Sequence, residues 1–377
     1  SVHLSKVLAL YIALLLIAGL APFDFSHDNR ATVSDANGLE IEFPGTAYTS
    51  SPPTKLGNIE KFTIFLDFAS TSTGIRGFEK IFGYFMDQDE MNFMVGQWKD
   101  GLGLSLRTVG QFREIHFGVD HIFEMKNRIR YAISYDGRSL VSYVDGNKYN
   151  ELIIGREQLR KWDVSYPLVL GTDANGSAQW RGSIYEVAIY DSAMVPAHFQ
   201  SDGRARVDNS RIERSLTPAE VRPVIHYMFT PEMSYEADFS GEKALMVRDL
   251  GKGAQADLVI TKEFIPYKRV YLRLPAVNSD YWSPNVIQDM IVNVLGFLPL
   301  GIILIMAYSK FNLHAGACIA LAVMTGFSIS LTIELMQAFL PTRYSSMIDL
   351  LMNASGTFIG SYLMTFVMRG LDVRTKL

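Results

Sequence analysis

Eight polar side chains interrupt runs that are otherwise apolar. Asp289 and Asn293 lie four residues apart, as do Asp349 and Asn353. Ser330, Glu334 and Gln337 follow one another at four and then three residues, and Arg343 stands between the last two groups. Residues at i, i+4 and i+7 share one face of an α-helix. Such groups are costly in hydrocarbon unless they face each other or a wet cavity. Their chemistry is that of a polar binding site. Glu334 and Asp349 are the acid–base candidates, and Arg343 can hold an anionic group bidentately. Asp289, Asn293, Gln337 and Asn353 can orient a ligand. Three acids against one base leave spare negative charge, so either a carboxyl carries a proton or a cation or donor-rich ligand belongs there. The alternative is that the same side chains are interhelical glue and hold no ligand.

The elements that must position them are membrane-length helices. Four runs approach the roughly 20 residues needed to span hydrocarbon: Val7–Phe23, Val286–Tyr308, Ala315–Leu340 and Ile348–Met368. The first reads as an uncleaved anchor, because Pro22 follows the small residues of "AGLA" and its basic flank is little more than Lys6. Lys6, Lys310, Arg369, Arg374 and Lys376 fall on one side of a four-span topology, which makes that side cytoplasmic. The polar residues then gather at the opposite, outer level, with Asp24 at the outer end of the first helix. Tyr281 and Trp282 suit an interfacial belt there. Pro299 is expected to bend the second helix and free the Leu295 carbonyl.

A short repeat links the second and fourth helices. Asp289-x3-Asn293-x2-Gly296-x4-Gly301 parallels Asp349-x3-Asn353-x2-Gly356-x3-Gly360. Read this way, the bundle is two parallel hairpins, the first of which carries a large insertion. The glycines suit close helix contact.

The stretches "GLAPFDF", "DMIVNVLGFLPLG" and "SLTIELMQAFLPTRYSSMIDLLMNASGTFIG" resemble the VanZ-like membrane family. That family shows an Asp and Asn followed by a Phe-Pro-Leu-Gly run, a Glu-x2-Gln followed by Arg and Asp, and an Asn-x2-Gly. The matching positions here are Asp289, Asn293, Pro299, Gly301, Glu334, Gln337, Arg343, Asp349, Asn353 and Gly356, across about 110 residues. The family takes its name from an accessory factor in resistance to a glycopeptide antibiotic. The resemblance therefore implies the bacterial cell envelope.

The inserted region has a different texture. Of 377 residues, 48% are hydrophobic and 20% charged, with a net charge of −4, which argues against a nucleic-acid binder. The single cysteine, Cys318, excludes an intramolecular disulfide. Residues 38–203 alternate or run apolar in short stretches, with turn signals at Asp136-Gly137 and Asp145-Gly146. Strands at that spacing predict a sandwich. The run from "YAISYDGRSLVSYVDG" to "GSIYEVAIY" (Gly182–Tyr190) resembles the concanavalin A-like/laminin G-like jelly rolls. That resemblance implies two curved sheets, often a glycan-binding concave face, and sometimes Ca²⁺. Trp98, Trp180 and Tyr185 are candidates to stack on sugar rings, or else core aromatics. Asp173 and Asn175 are weak Ca²⁺ candidates, or else a polar turn. His116 and His121, five apart, fall on opposite faces of a strand and are not a metal pair. No other cofactor is expected. At 217–220, "TPAE" has the form of a helix start with a capping box.

The resulting expectation is four transmembrane helices with an all-β jelly-roll sandwich inserted between the first two. Residues 1–27 form helix one, 28–203 the sandwich, 204–283 a connecting segment with short strands, and 284–377 helices two to four. The short strands either extend the sandwich or clamp it onto the helices. Function is expected at the inner membrane of a bacterium, with both termini cytoplasmic. A glycan-recognising domain would be held outside, over a site for a membrane lipid, lipid-linked glycan or cell-wall ligand. The rival is a non-enzymatic assembly subunit whose jelly roll docks a protein partner.

Overall fold

The structure, a computed structural model, describes residues 2–374 except 73–76, 87–89, 110–113, 124–127, 156–158, 175, 177, 195–221, 253–255, 275–283, 312, 342 and 344. The capping-box motif at 217–220, Tyr281 and Trp282 lie outside the described residues. The chain forms two compact units, one of residues 26–268 and one of residues 1–25 with 269–377.

The first unit is a two-sheet sandwich. Its strands in chain order are β1 (Ala31–Ser34), β2 (Gly38–Ile41), β3 (Ala47–Thr49), β4 (Phe62–Ser70), β5 (Glu79–Phe85), β6 (Met91–Trp98), β7 (Gly101–Arg107), β8 (Glu114–Val119) and β9 (Arg128–Tyr135). They continue with β10 (Ser139–Val144), β11 (Asn147–Ile153), β12 (Leu168–Leu170), β13 (Gly182–Tyr190), β14 (Ile225–Met228), β15 (Ser234–Phe239), β16 (Glu242–Val247) and β17 (Leu258–Ile260). One sheet runs β1-β2-β13-β4-β9-β10-β11, with β14 also on β13; the other runs β15-β16-β17-β3-β12-β5-β6-β7-β8. Alternation places Ile64, Leu66, Phe68, Ile129, Tyr131 and Ile133 of one sheet against Phe82, Tyr84, Phe93, Val95, Leu104 and Leu168 of the other, all buried in one core.

The turn signals do what their chemistry requires. Asp145 and Gly146 both have positive φ, at 49° and 82°, which is the primed hairpin geometry between β10 and β11. At the preceding turn Asp136 Oδ1 accepts the N–H groups of Arg138 (2.8 Å) and Ser139 (2.7 Å). Those bonds and Lys61 hold its carboxyl below the usual range against the opposing effect of burial. The strands of residues 225–260 extend the sandwich. β14 pairs with β13, and β17 pairs with β3 and so carries β15 and β16 into the second sheet. The sandwich therefore reaches past the expected boundary at residue 203.

The second unit holds four helices: α1 (Val2–Leu20), α2 (Pro284–Tyr308), α3 (Ala315–Gln337) and α4 (Met347–Arg374). All four are long and apolar enough to cross a membrane. α1 ends earlier than the apolar run because Pro22 has no N–H to continue it. α2 runs on through Pro299. Glycines set the helix pairing. A Cβ on Gly356 would lie 2.2 Å from the Val294 carbonyl oxygen, and one on Gly360 would lie 2.0 Å from that of Leu298. One on Gly301 would meet the Thr357 carbonyl at 2.2 Å. These pairs advance together, so α2 and α4 run parallel with backbones in direct contact. Gly296, the repeat partner of Gly356, differs: a Cβ there would meet nothing within 4 Å.

Candidate functional site

The polar residues assemble at one end of the helical unit, and different backbone problems account for part of the assembly. The last carbonyls of a helix need donors from outside it. In α1 the partner of the Ala18 carbonyl would be the N–H of residue 22, which is a proline. Arg343 Nη2 takes that place, donating to Ala18 O at 3.5 Å and Ala21 O at 3.4 Å. Gln337 Nε2 donates to Gly19 O at 2.9 Å. The Ala21 N–H goes to Ile17 O and the Phe23 N–H to Leu20 O. Gln337 and Arg343, read from the sequence as ligand groups, thus each place one side-chain nitrogen on the C-terminus of α1. There the negative end of the helix dipole also favours the guanidinium.

The carboxylates are left with each other and with amides. Glu334 is 2% exposed, and its Oε2 accepts the Ser346 N–H at 2.7 Å, at the positive start of α4. Ser346 caps that helix through Oγ, which accepts from the Asp349 N–H at 3.3 Å. Ser346 thus bonds both residues, Glu334 through its N–H and the half-buried Asp349 through its Oγ. Asp289 and Asn293 stand on α2, whose backbone packs directly against that of α4. Asp289 itself is exposed. One turn deeper, Asn353 is 4% exposed and donates Nδ2 to Ser330 Oγ at 2.9 Å. Its Oδ1 is buried with no partner among the described residues. Asp289, Asn293, Glu334, Asp349 and Asn353 thus form one graded set, open at Asp289 and closed at Asn353.

The last of the short strands expected in the connecting segment, "RVYLRL", lies as a strap along this end. Arg273 N–H donates to Ser345 O at 2.9 Å, Met347 N–H to Arg273 O at 3.1 Å, and Leu272 N–H to Ser345 Oγ at 2.9 Å. The Arg269 guanidinium lies 4.3 Å from the Phe339 ring centroid, and Tyr271 meets the same ring edge-on. The alternating "RVYLR" carries a strand signal, and the structure gives it one isolated bridge, Arg273 to Ser346, rather than a strand.

In the β unit the aromatic candidates separate. Trp180 is fully buried, with Nε1 donating to Gln97 Oε1 (3.1 Å) and Ser70 Oγ (3.2 Å), so it is a core residue. Tyr185 stands beside a register shift between Ile184 and Glu186 that turns two successive residues outward. Its ring is occupied by the Arg128 guanidinium at 3.6 Å, which is itself held by Asp67 at 2.7 and 2.9 Å. Trp98 is 54% exposed and free to stack. The outer face of the nine-stranded sheet is closed by a satellite core of Tyr48, Phe85, Met94, Val169, Met246 and Val259. Asp173 is wholly buried with partners of its own, and Asn175 lies outside the described residues. Among the described residues no three His, Cys, Asp or Glu side chains are grouped closely enough to hold a metal ion.

Residues 226–368 match the family model VanZ/LLP1, and residues 45–199 match that of the concanavalin A-like lectin/glucanases superfamily. The first match begins in β14, so it takes in the last strands of the sandwich as well as three helices. No curated protein matches the chain. Among solved structures it is similar to a Bacteroides ovatus ATCC 8483 protein assigned as carbohydrate-binding, at 13% identity and TM-score 0.39 over 63% of this chain and 59% of that one. It is similar to the CBM40 of Ruminococcus gnavus IT-sialidase, at 17% identity and TM-score 0.35 over 42% of this chain and 92% of that one. A SAP-like pentraxin of Limulus polyphemus follows at 13% identity and TM-score 0.32, over 42% and 76%. The chain spans less than two thirds of the first of these. It combines a VanZ-like helical region with a concanavalin A-like β domain, and its four apolar helices make it a membrane protein.

Proposed function

We propose that this chain is a bacterial cell-envelope protein that recognises glycan through its β domain and engages the polar head of a lipid-linked or cell-wall ligand through its helices. The observation that carries the reading is the convergence of Asp289, Glu334 and Asp349 at one end of the bundle, with no ion pair to a described residue. Structural acids are normally neutralised, because an isolated charge in hydrocarbon is costly. Here Arg343, the nearest candidate in sequence, is spent on α1. The basic flanks Lys6, Lys310, Arg369, Arg374 and Lys376 support placing this end of the helices, and the β domain inserted after α1, outside the cytoplasm. Glu334 and Asp349 are the pair suited to exchange a proton with a bound group, and Trp98 is the exposed ring suited to a sugar.

A second reading, a non-enzymatic assembly subunit, is favoured by a specific observation. Gln337 and the Ser330–Asn353 pair make helix-to-helix bonds, and Arg343 ties the loop after α3 to the end of α1, as glue would. The full chain in nanodiscs of total bacterial lipid separates the two. Native mass spectrometry that finds a headgroup-bearing lipid retained on the wild type, together with envelope-glycan binding lost in Trp98→Ala, supports the first reading. Retention of annular lipid alone and no glycan binding refutes it in favour of the second.

A further inference from the structure

The chemistry of the helical site is one-sided. It offers carboxylate oxygens from Asp289, Glu334 and Asp349, and the carbonyl of Asn353. With the carboxyls ionised, every one of these is an acceptor. Two donors beside these acceptors are already used, the Ser346 N–H on Glu334 Oε2 and Asn353 Nδ2 on Ser330 Oγ. Asn353 Oδ1 is the independent sign of a missing partner. Its residue is only 4% exposed, and a buried amide oxygen without a donor forgoes a bond that native interiors almost always make. It sits one helical turn below Asp349 on the same face of α4, and its amide is fixed to Ser330, one turn below Glu334 on α3. A ligand that satisfies such a set must bring positive charge and several N–H donors. Among the described residues no three acidic side chains are grouped closely enough to hold a metal ion.

We propose that this end of the bundle is a receptor for a primary ammonium group, held by Glu334, Asp349 and the Asn353 carbonyl, with Asp289 at the entrance. The three N–H donors of an R–NH₃⁺ head match three acceptors presented from two helices. The exposed Asp289 draws the cation toward the half-buried Asp349, and the buried Glu334 and Asn353 complete its shell. The proposal rests on the reading above that the helices engage a polar head, and it names the chemistry of that head. The shared chemistry is the amine, whether it is carried on a lipid or on a free small molecule.

The test uses the full chain in nanodiscs made with equal parts of phosphatidylethanolamine, phosphatidylcholine and phosphatidylglycerol. The first two share a phosphate and differ in whether the nitrogen has N–H donors. Charge-assisted bonds of this kind are worth at least about tenfold in affinity. The wild type should therefore retain phosphatidylethanolamine over phosphatidylcholine by about tenfold or more in native mass spectra, and both Glu334→Gln and Asp349→Asn should lose the preference. Glu334→Gln keeps an acceptor for the Ser346 N–H, so its thermal unfolding should stay near that of the wild type. Displacement by soluble O-phosphoethanolamine would assign the amine to a free ligand, and resistance to it would assign a lipid. Equal retention of all three headgroups, or a preference that survives both variants, overturns the ammonium proposal while leaving a headgroup site standing. No headgroup retained at all overturns both.

Discussion

Gly296 and Gly356 occupy equivalent positions in the two Asp-x3-Asn-x2-Gly segments, and the structure predicts that replacing them by alanine has opposite effects. At Gly356 the new methyl would lie 2.2 Å from the Val294 carbonyl oxygen, 2.9 Å from its carbonyl carbon and 3.0 Å from its Cα. Ordinary contact begins near 3.4 Å. All three atoms are backbone, so no rotamer change relieves the clash, and the helices must part by about 1 Å. A gap of that size forfeits a quarter to a half of each dispersion contact, and overpacking of this kind costs about 2–4 kcal/mol in all. Alanine's better helix propensity returns about 1 kcal/mol. The net expectation for Gly356→Ala is a loss of about 1–3 kcal/mol. Gly296→Ala meets nothing within 4 Å and should gain up to about 1 kcal/mol. The assay is heat challenge of the full chain in one detergent, followed by the fraction that stays monodisperse on size exclusion. Gly356→Ala should unfold several degrees below the wild type, and Gly296→Ala at or above it. Equal losses in the two variants would refute the parallel α2–α4 contact and with it the geometry of the site.

Three further expectations follow from named bonds. Arg343→Met removes long, exposed bonds to the Ala18 and Ala21 carbonyls and should cost about 0.5–1 kcal/mol in the same heat challenge, with Arg343→Lys recovering part of it. Trp180→Phe removes the Nε1 bonds to Gln97 and Ser70 and leaves a void; a loss of about 2–4 kcal/mol in urea unfolding, followed by near-ultraviolet circular dichroism, is expected. Arg128→Met strands the buried Asp67 on Arg130 alone, at 3.3 Å. Because Arg128 is half exposed the loss should be only about 1–2 kcal/mol, and Asp67→Asn in the same chain should recover most of it in a double-mutant cycle.

The amino-acid sequence by itself determined the elements and their kind. The 3.6-residue spacing of Asp289/Asn293, Ser330/Glu334 and Asp349/Asn353 fixed which side chains share a helical face. Apolar length fixed the four spans, and Asp145-Gly146 fixed a hairpin through its need for positive φ. These are properties of neighbours along the chain, and local geometry decides them. Tertiary structure alone decided which polar residue serves what. Arg343 and Gln337 looked like ligand groups because their charge and spacing fit. They serve α1 because Pro22, more than 300 residues earlier, leaves a carbonyl bare, and helix packing brings that carbonyl to them. The same holds for Trp180, drawn into the core by Gln97, for the strands of residues 225–260, and for Gly296 and Gly356. Identical motifs met different neighbours, and a contact between distant segments leaves no periodic trace in either one.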